Sequence, residues 1–446
     1  MILFKRLITL LLISGVFSSP LFSQSHIKNL PPKHPQFDYK ATPKPDRILL
    51  SWSKDAHTTQ TVTWRTDTTV AKAYAKIALA DPSPEFHEYD TTYTAETVSF
   101  LNPYTNANYH TVTFENLKPN THYAYRVGSK PYWSEWIQFK TATAKAEPFS
   151  FIYMGDAQNK LYSHWSRAIR AAYAKAPNAK FIIHAGDLIN HSQNDYEWGE
   201  WFRAGSFIHS MIPSIIIPGN HEYIKIDKKK IGISPYWNPQ FNFTKNGPEG
   251  LEDESYYTDY QNCKIIALNT NENFVQQAEW LEEVLKNNKK DWVFVILHHP
   301  IISAAKGRVN EGIMNNWKPI FDKYKVDMVL QGHDHTYGRG QNVNSGLNAW
   351  DEDSGTVYVV SVSGPKTYSL SDHEWMTRSA ENTQLYQVID IENDKLTYKA
   401  YTVNDKIYDA FEIIKAKGKN NVLKELPVDI KEERRFENTL NDPDEN

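Results

Sequence analysis

The stretch Val326-Asp327-Met328-Val329-Leu330-Gln331-Gly332-His333-Asp334-His335 decides how the rest of the chain is read. A mostly apolar run ends in a glycine and two histidines two residues apart, and imidazoles so spaced reach two ions only where backbone curls past them at a strand end. Taken alone, this could be a pair of turn histidines on the surface. Four further runs end in the same way. Phe149–Met154 leads to Gly155-Asp156, Phe181–Ile183 is soon followed by Gly186-Asp187, Ile215–Ile217 leads to Gly219-Asn220-His221-Glu222, and Trp292–Leu297 ends in His298-His299. Each run is short and apolar, as a strand buried on both faces must be. Each also puts a potential metal ligand just past its carboxyl end, where an open α/β sheet gathers loops from distant parts of the chain. Glycine beside Asp156, Asp187, Asn220 and His333 lets the backbone come close to an ion.

The 446 residues leave room for two domains. With 49 basic and 53 acidic side chains the formal charge is -4, so nothing in the charge implies a nucleic-acid-binding surface. Lys5 and Arg6 precede the apolar run Leu7–Phe17, and small residues follow at Ser18, Ser19 and Ser23. That is the layout of a cleavable secretory signal over residues 1–23, with a retained signal anchor as the alternative. The run is shorter than the roughly 20 residues that span a bilayer, so the expectation is export, periplasmic or secreted, with no transmembrane anchor after cleavage. Cys263 is the only cysteine, which excludes an intramolecular disulfide. It lies in the strand-like run Cys263–Leu268 and reads as a buried structural thiol.

After an extended, proline- and lysine-rich lead-in over 24–45, the texture is β. Ile48–Trp52, Thr61–Trp64, Tyr74–Leu79, Thr111–Phe114, Tyr123–Val127 and Trp136–Phe139 are short runs of β-branched and aromatic residues with turn signals between them. They predict an N-terminal all-β sandwich of the fibronectin III or immunoglobulin type over 46–145, without catalytic chemistry. From Phe149 the period changes. Helices are expected over Tyr162–Ala174, Tyr196–Ser210 and Phe274–Leu285, and strands return over Thr356–Val362, Gln384–Ile391 and Leu396–Val403. The order implies an α/β domain of two mixed β-sheets flanked by helices over 148–416. The charged stretch 417–446 reads as a mobile or loosely docked tail.

Asp156, Asp187, Asn220, His298, His333 and His335 offer oxygen and nitrogen donors suited to zinc, iron or manganese. With this set the chain resembles the calcineurin-like metallophosphoesterases, and the motifs Gly186-Asp187, Gly219-Asn220-His221-Glu222, Val295–His298 and Gly332-His333-Asp334-His335, behind a β-sandwich carrying Tyr123 to Gly128, look like those of a purple acid phosphatase. The resemblance covers residues 45 to 415. It implies an exported dinuclear-metal phosphohydrolase, with a phosphorylated small molecule as substrate and a metal-bridging hydroxide as nucleophile. By the same resemblance Asp187 bridges both metals, Asp156 and His335 complete the first site, and Asn220, His298 and His333 complete the second. Two ions about 3.5 Å apart would clamp the phosphoryl group during in-line attack. The resemblance makes His221 a substrate contact that protonates the leaving oxygen, while the residues alone also allow a role confined to orienting a ligand. A phosphodiesterase or nucleotide pyrophosphatase with the same metal core, or a non-catalytic binding protein on the same fold, remain the alternatives.

The chain also departs from the family pattern. Where purple members have glycine two after the first aspartate and tyrosine three after the bridging one, it has Gln158 and Asn190. Purple colour in the family comes from charge transfer between that tyrosinate and ferric iron, so its loss points to divalent ions such as Mn, Zn or ferrous iron. Gln158 and Asn190 are further candidate ligands through their carbonyl oxygens, and His191 is a weaker one. Downstream of His299, Lys306 or Arg308 stands where relatives often place a substrate-contacting histidine. His299, Arg308 and Tyr223 are therefore candidate substrate contacts, and Tyr223 and Tyr337 are the tyrosines nearest in sequence to the other ligands.

Overall fold

The computed structural model describes residues 35–431 except 228, 309, 342, 345–348, 351–354, 372–374 and 416–420. The expected signal over 1–23, the start of the lead-in and the end of the tail lie outside the described residues.

Residues 46–140 form a β-sandwich. One sheet pairs Asp46–Ser51, Gln60–Thr66, Asn106–Phe114 and Glu96–Leu101 in that order; the other is built on Tyr74–Leu79 and His122–Ser129. Val62, Trp64, Phe114, Tyr125 and Val127 fill the space between them. The alternating strands put these side chains inward, as burial of one face per sheet requires. Thr91–Thr94 and Glu96–Leu101 are strands that the sequence analysis does not anticipate. Both are mostly exposed, so no buried face marks them in the sequence.

The second domain places two seven-stranded mixed sheets face to face. In the first, the parallel strands Ser214–Ile216, Ile182–His184 and Phe149–Met154 continue into antiparallel Leu385–Glu392, Lys395–Thr402, Ile407–Ile414 and Val422–Glu425. In the second, Cys263–Ala267, Trp292–Ile296, Met328–Gln331 and Val357–Val360 run parallel, with Tyr256–Tyr260 antiparallel at one edge and Tyr337–Gln341 and Arg378–Ala380 at the other. Phe151 of the first sheet meets Phe294 of the second edge to face, with ring centroids 5.3 Å apart. Such pairs add to burial itself. Cys263 is a buried free thiol, as its apolar strand requires.

Three elements differ from expectation. The helix expected over 196–210 breaks at Ser206, whose φ is 46°, into Asp195–Gly205 and Phe207–Met211. Helix Glu311–Tyr324 forms although it carries Gly312 and Pro319. Ile313, Trp317 and Phe321, one turn apart along one face, are buried in the core, and that packing outweighs the poor local propensity. Finally, the stretch expected as a tail contributes the edge strand Val422–Glu425, where Glu425 forms an ion pair with Arg339 at 2.7 Å. Its charged residues conceal a strand because only one of its faces is covered.

The buried histidines His110, His184 and His209 carry a consequence for acid stability. The ring nitrogens of His110 meet the hydroxyls of Thr66 and Thr97 at 2.8 and 3.0 Å, and burial pushes its pKa down to about 4. Burial pushes His209 to about 3 and His184 well below its ordinary value. Unfolded, all three return to about 6.5, so the unfolded chain binds more protons in acid. Their contribution to stability is complete above about pH 6.5 and is lost as the pH falls toward 4. Thermal unfolding midpoints should drop across that window; a midpoint unchanged from pH 7 to pH 4 would contradict it.

Candidate metal centre

The carboxyl ends of the parallel strands of both sheets converge on one place. Asp156 follows Phe149–Met154, Asp187 follows Ile182–His184, Asn220 and His221 follow Ser214–Ile216, His298 follows Trp292–Ile296, and His333 and His335 follow Met328–Gln331. Asp156, Asp187 and His335 form one buried cluster and His298, His299 and His333 another, the donor atoms within each lying within 4.8 Å of one another. Asn220 Oδ1 lies 3.2 Å from His298 Nε2, so it joins the second cluster. His298 Nε2 is also 3.3 Å from Asp187 Oδ1, which links the two.

Local backbone geometry makes this convergence feasible. Asp187, His333 and His335 all have positive φ, at 49°, 73° and 48°, so the chain curls past each ligand as it leaves its strand. A Cβ on Gly219 would come within 2.1 Å of Asp187 Oδ1, and one on Gly332 within 2.3 Å of Asp156 Oδ1. Only glycine fits at these two positions. Backbone donors then orient the carboxylates: His333 N–H donates to both oxygens of Asp156, at 2.8 and 2.9 Å, and His221 N–H donates to Asp187 Oδ1 at 2.9 Å. Glu222, which has no assigned role in the sequence analysis, is fully buried beneath this loop. Its carboxylate accepts from the N–H groups of Gly219, Asp187 and Leu188 at 2.7, 2.9 and 2.8 Å, tying two ligand loops together.

The donor set fits cations. His298 and His335 present Nδ1 to backbone carbonyls, of Ala185 at 2.9 Å and Lys366 at 3.2 Å, which fixes the N–H there and leaves Nε2 as the ligand atom. His298 Nε2 and His333 Nδ1 face each other at 3.2 Å. Burial, reinforced by Asp187, pushes the Asp156 carboxyl up to about 7. Burial alone would raise Asp187 too, but the imidazoles of His298 and His221 outweigh it and hold that carboxyl well below its usual range. Burial would lower His298, whereas Asp187 and Asp156 bring it up to about 9. Two carboxylates and several imidazoles taken out of water in this way call for positive charge among them.

The remaining candidates divide. The Gln158 amide sits inside the first cluster, 2.7 Å from His335 Nε2 and 3.2 Å from Asp187 Oδ2, close enough to serve as a ligand if its oxygen faces them. Asn190 turns its side chain onto His191, and its carbonyl accepts from His221 Nδ1 at 2.6 Å. His191 in turn pairs with Glu197 at 2.6 Å. His299 packs against His333 with ring centroids 4.2 Å apart, and its Nδ1 meets Thr270. Arg308 approaches Asp334 at 3.8 Å and lies over the Tyr368 ring at 4.7 Å. Tyr223 does not reach the centre: its hydroxyl is buried with Glu254, Glu272 and Asn269. Tyr337 is likewise bound to Asp409 and Tyr398. Tyr368 does touch a ligand, lying edge-on to His335 at 4.8 Å between centroids. It stands far from every motif in sequence, and no local signal marks it.

Residues 45–141 match the family model described as the purple acid phosphatase N-terminal domain, and residues 149–337 match that of the calcineurin-like phosphoesterases. The chain is a purple acid phosphatase-like metallophosphoesterase. Among relatives of this family, purple acid phosphatase 1 of Ipomoea batatas is 27% identical over 308 residues, covering 62% of this chain and 63% of its own. An uncharacterized protein of Mycobacterium tuberculosis is 25% identical over 343 residues, covering 67% of this chain and 63% of its own. The chain thus spans under two thirds of the length of these curated relatives. The purple acid phosphatase from yellow lupin seeds shares the fold, with a TM-score of 0.71 at 18% identity over 83% of this chain and 74% of its own. For a purple acid phosphatase-like protein, the departures at Gln158 and Asn190 therefore sit within a recognisable frame.

Proposed function

We propose that this chain is an exported phosphomonoesterase that works with two divalent metal ions, Mn, Zn or ferrous iron, on phosphorylated small molecules. The observation that carries the reading is the pair of Asp and His clusters meeting at Asp187, with the partly exposed His221 imidazole beside the same carboxylate. When bound, two such ions supply Lewis-acid activation of the phosphoryl group and of water. Asp156, Asp187 and His335 would hold one ion, and Asn220, His298 and His333 the other. Glu222 keeps the loops of Asp187 and Asn220 in register through its backbone donors. His221 gives its Nδ1–H to the Asn190 carbonyl, leaving Nε2, 4.0 Å from Asp187 Oδ2, as the atom that passes a proton to the departing oxygen.

Metal analysis, combined with rates on p-nitrophenyl phosphate, bis-p-nitrophenyl phosphate and nucleotides, tests the proposal. Two metals per chain and fastest turnover of the monoester support it. Faster turnover of the diester, or cleavage of nucleotides to the nucleoside monophosphate and pyrophosphate, assigns the protein to the diesterase or pyrophosphatase alternative, and no turnover of any of them by metal-loaded protein leaves a binding protein. Finding the mature N-terminus near residue 24 in protein recovered outside the cytoplasm tests the export.

The same reading predicts a colourless enzyme, active with divalent ions and with a pH optimum nearer neutral than strongly acidic. Asn190 offers no phenolate, and the hydroxyls of Tyr223 and Tyr337 are engaged elsewhere. An absorption spectrum of iron-loaded protein checks this. An intense visible band would contradict it, and disappearance of that band in Tyr368→Phe would locate its source.

A further inference from the structure

Beyond the metal centre, an exposed two-stranded ribbon, Tyr223–Ile226 paired with Lys229–Ile233, sets Lys225 directly opposite Lys230. Like charges facing each other across such a ribbon destabilise it. This ribbon is also held rigidly to the centre. Its first strand begins immediately after His221 and Glu222, and Ser234 N–H at its far end donates to the Glu222 carbonyl at 2.7 Å. Lys230 Nζ lies 2.6 Å from Asn271 Oδ1, and the amide nitrogen of Asn271 donates to the carbonyls of Pro218 and Gly219 at 3.2 and 3.3 Å. One ammonium group is therefore linked, through the Asn271 side chain, to the residue that precedes Asn220. Burial lowers the pKa of both lysines, Lys225 lowers that of Lys230 further and Lys366 that of Lys225, while the Asp187 carboxylate acts on each in the opposite direction. Lys366 comes from the opposite wall, where its carbonyl holds His335.

Three cations thus border the solvent-facing side of the centre, where Asn220, His221, His299 and His333 are partly exposed. A reacting phosphoryl group held among the metal ligands would not by itself explain why the ribbon keeps two lysines opposed. An anion lying between them would convert the repulsion into two charge-assisted hydrogen bonds. We propose that Lys225 and Lys230 form a second anion subsite, selecting substrates that carry a second phosphate group in addition to the one hydrolysed. The proposal rests on the phosphohydrolase reading above, and it concerns which substrates that centre prefers.

The test compares kcat/KM for inorganic pyrophosphate and fructose 1,6-bisphosphate with kcat/KM for p-nitrophenyl phosphate, in metal-loaded full-length protein. In Lys225→Gln/Lys230→Gln the ratio for at least one doubly phosphorylated substrate should fall tenfold or more, chiefly through KM. The double arginine variant should restore it, and in the parent the preference should shrink as salt is raised. Pyrophosphate and the bisphosphate separate a phosphoanhydride from two distant phosphates. Lys229→Gln, on the other face of the ribbon, is the control and should leave the ratio in place. All three variants alter only exposed side chains, and matching thermal midpoints verify folding. An unchanged ratio in the double glutamine variant, or an equal fall for Lys229→Gln, overturns the subsite while leaving the phosphatase reading intact. Failure of the parent protein to hydrolyse any of the three substrates overturns both.

Discussion

Asp187→Ala is expected to abolish both metal binding and turnover. The Asp187 carboxylate reaches the side chains of both clusters: Oδ1 is 3.3 Å from His298 Nε2, and Oδ2 is 3.2 Å from the amide of Gln158, which in turn touches His335. Its removal takes negative charge away from two cations at once and leaves His298 without its main stabilising partner. Metal content by elemental analysis and turnover of p-nitrophenyl phosphate measure the effect. Because residue 187 has φ 49°, alanine there also adds local strain, so Asp187→Asn is the companion variant: asparagine tolerates that conformation and keeps the shape. Its metal loss should therefore follow from charge. If either variant retains two metals and a near-normal rate, Asp187 is not the bridge.

The second large effect is expected at His221. His221→Ala should keep its metals and lose rate on the order of the 10²- to 10⁴-fold that a general acid contributes. The imidazole has its Nδ1 committed to the Asn190 carbonyl, and its Nε2 lies at the rim of the centre. Burial lowers its pKa below the ordinary value, against the raising effects of Asp187 and the Asn190 carbonyl. The acid form is then lost as pH rises through that lowered value, so the dependence on His221 should weaken on the alkaline side. Substrates whose leaving group needs no proton, such as p-nitrophenyl phosphate, should lose less than alkyl phosphates do. An equal loss for good and poor leaving groups would sink the acid role and make His221 a positioning residue.

Where sequence and structure part company, the division follows the range over which the physics acts. A strand buried on both faces must be a short apolar run, and the residue just past its end must lie at the sheet edge, so Asp156, Asp187, Asn220, His298, His333 and His335 could be picked out without a structure. The glycines at 219 and 332 were legible for the same reason, since close approach by the backbone forbids a Cβ there. Adjacency along the chain is a poor guide beyond that. Tyr223, three residues after Asn220, alternates away from the centre into a buried cluster with Glu254 and Glu272, and the Asn190 side chain turns to His191. Glu222 carries no signal of its role, because its partners are backbone N–H groups from another loop. Helix Glu311–Tyr324 and strand Val422–Glu425 depend on surfaces that only the assembled sheets provide. Tyr368 against His335, and Lys225 opposite Lys230 facing Lys366, are likewise tertiary facts. Local periodicity is enough to say which groups stand at the strand ends; which of them meet, and what charge surrounds them, follows from contacts between residues far apart in the chain and is visible only once the sheets are assembled.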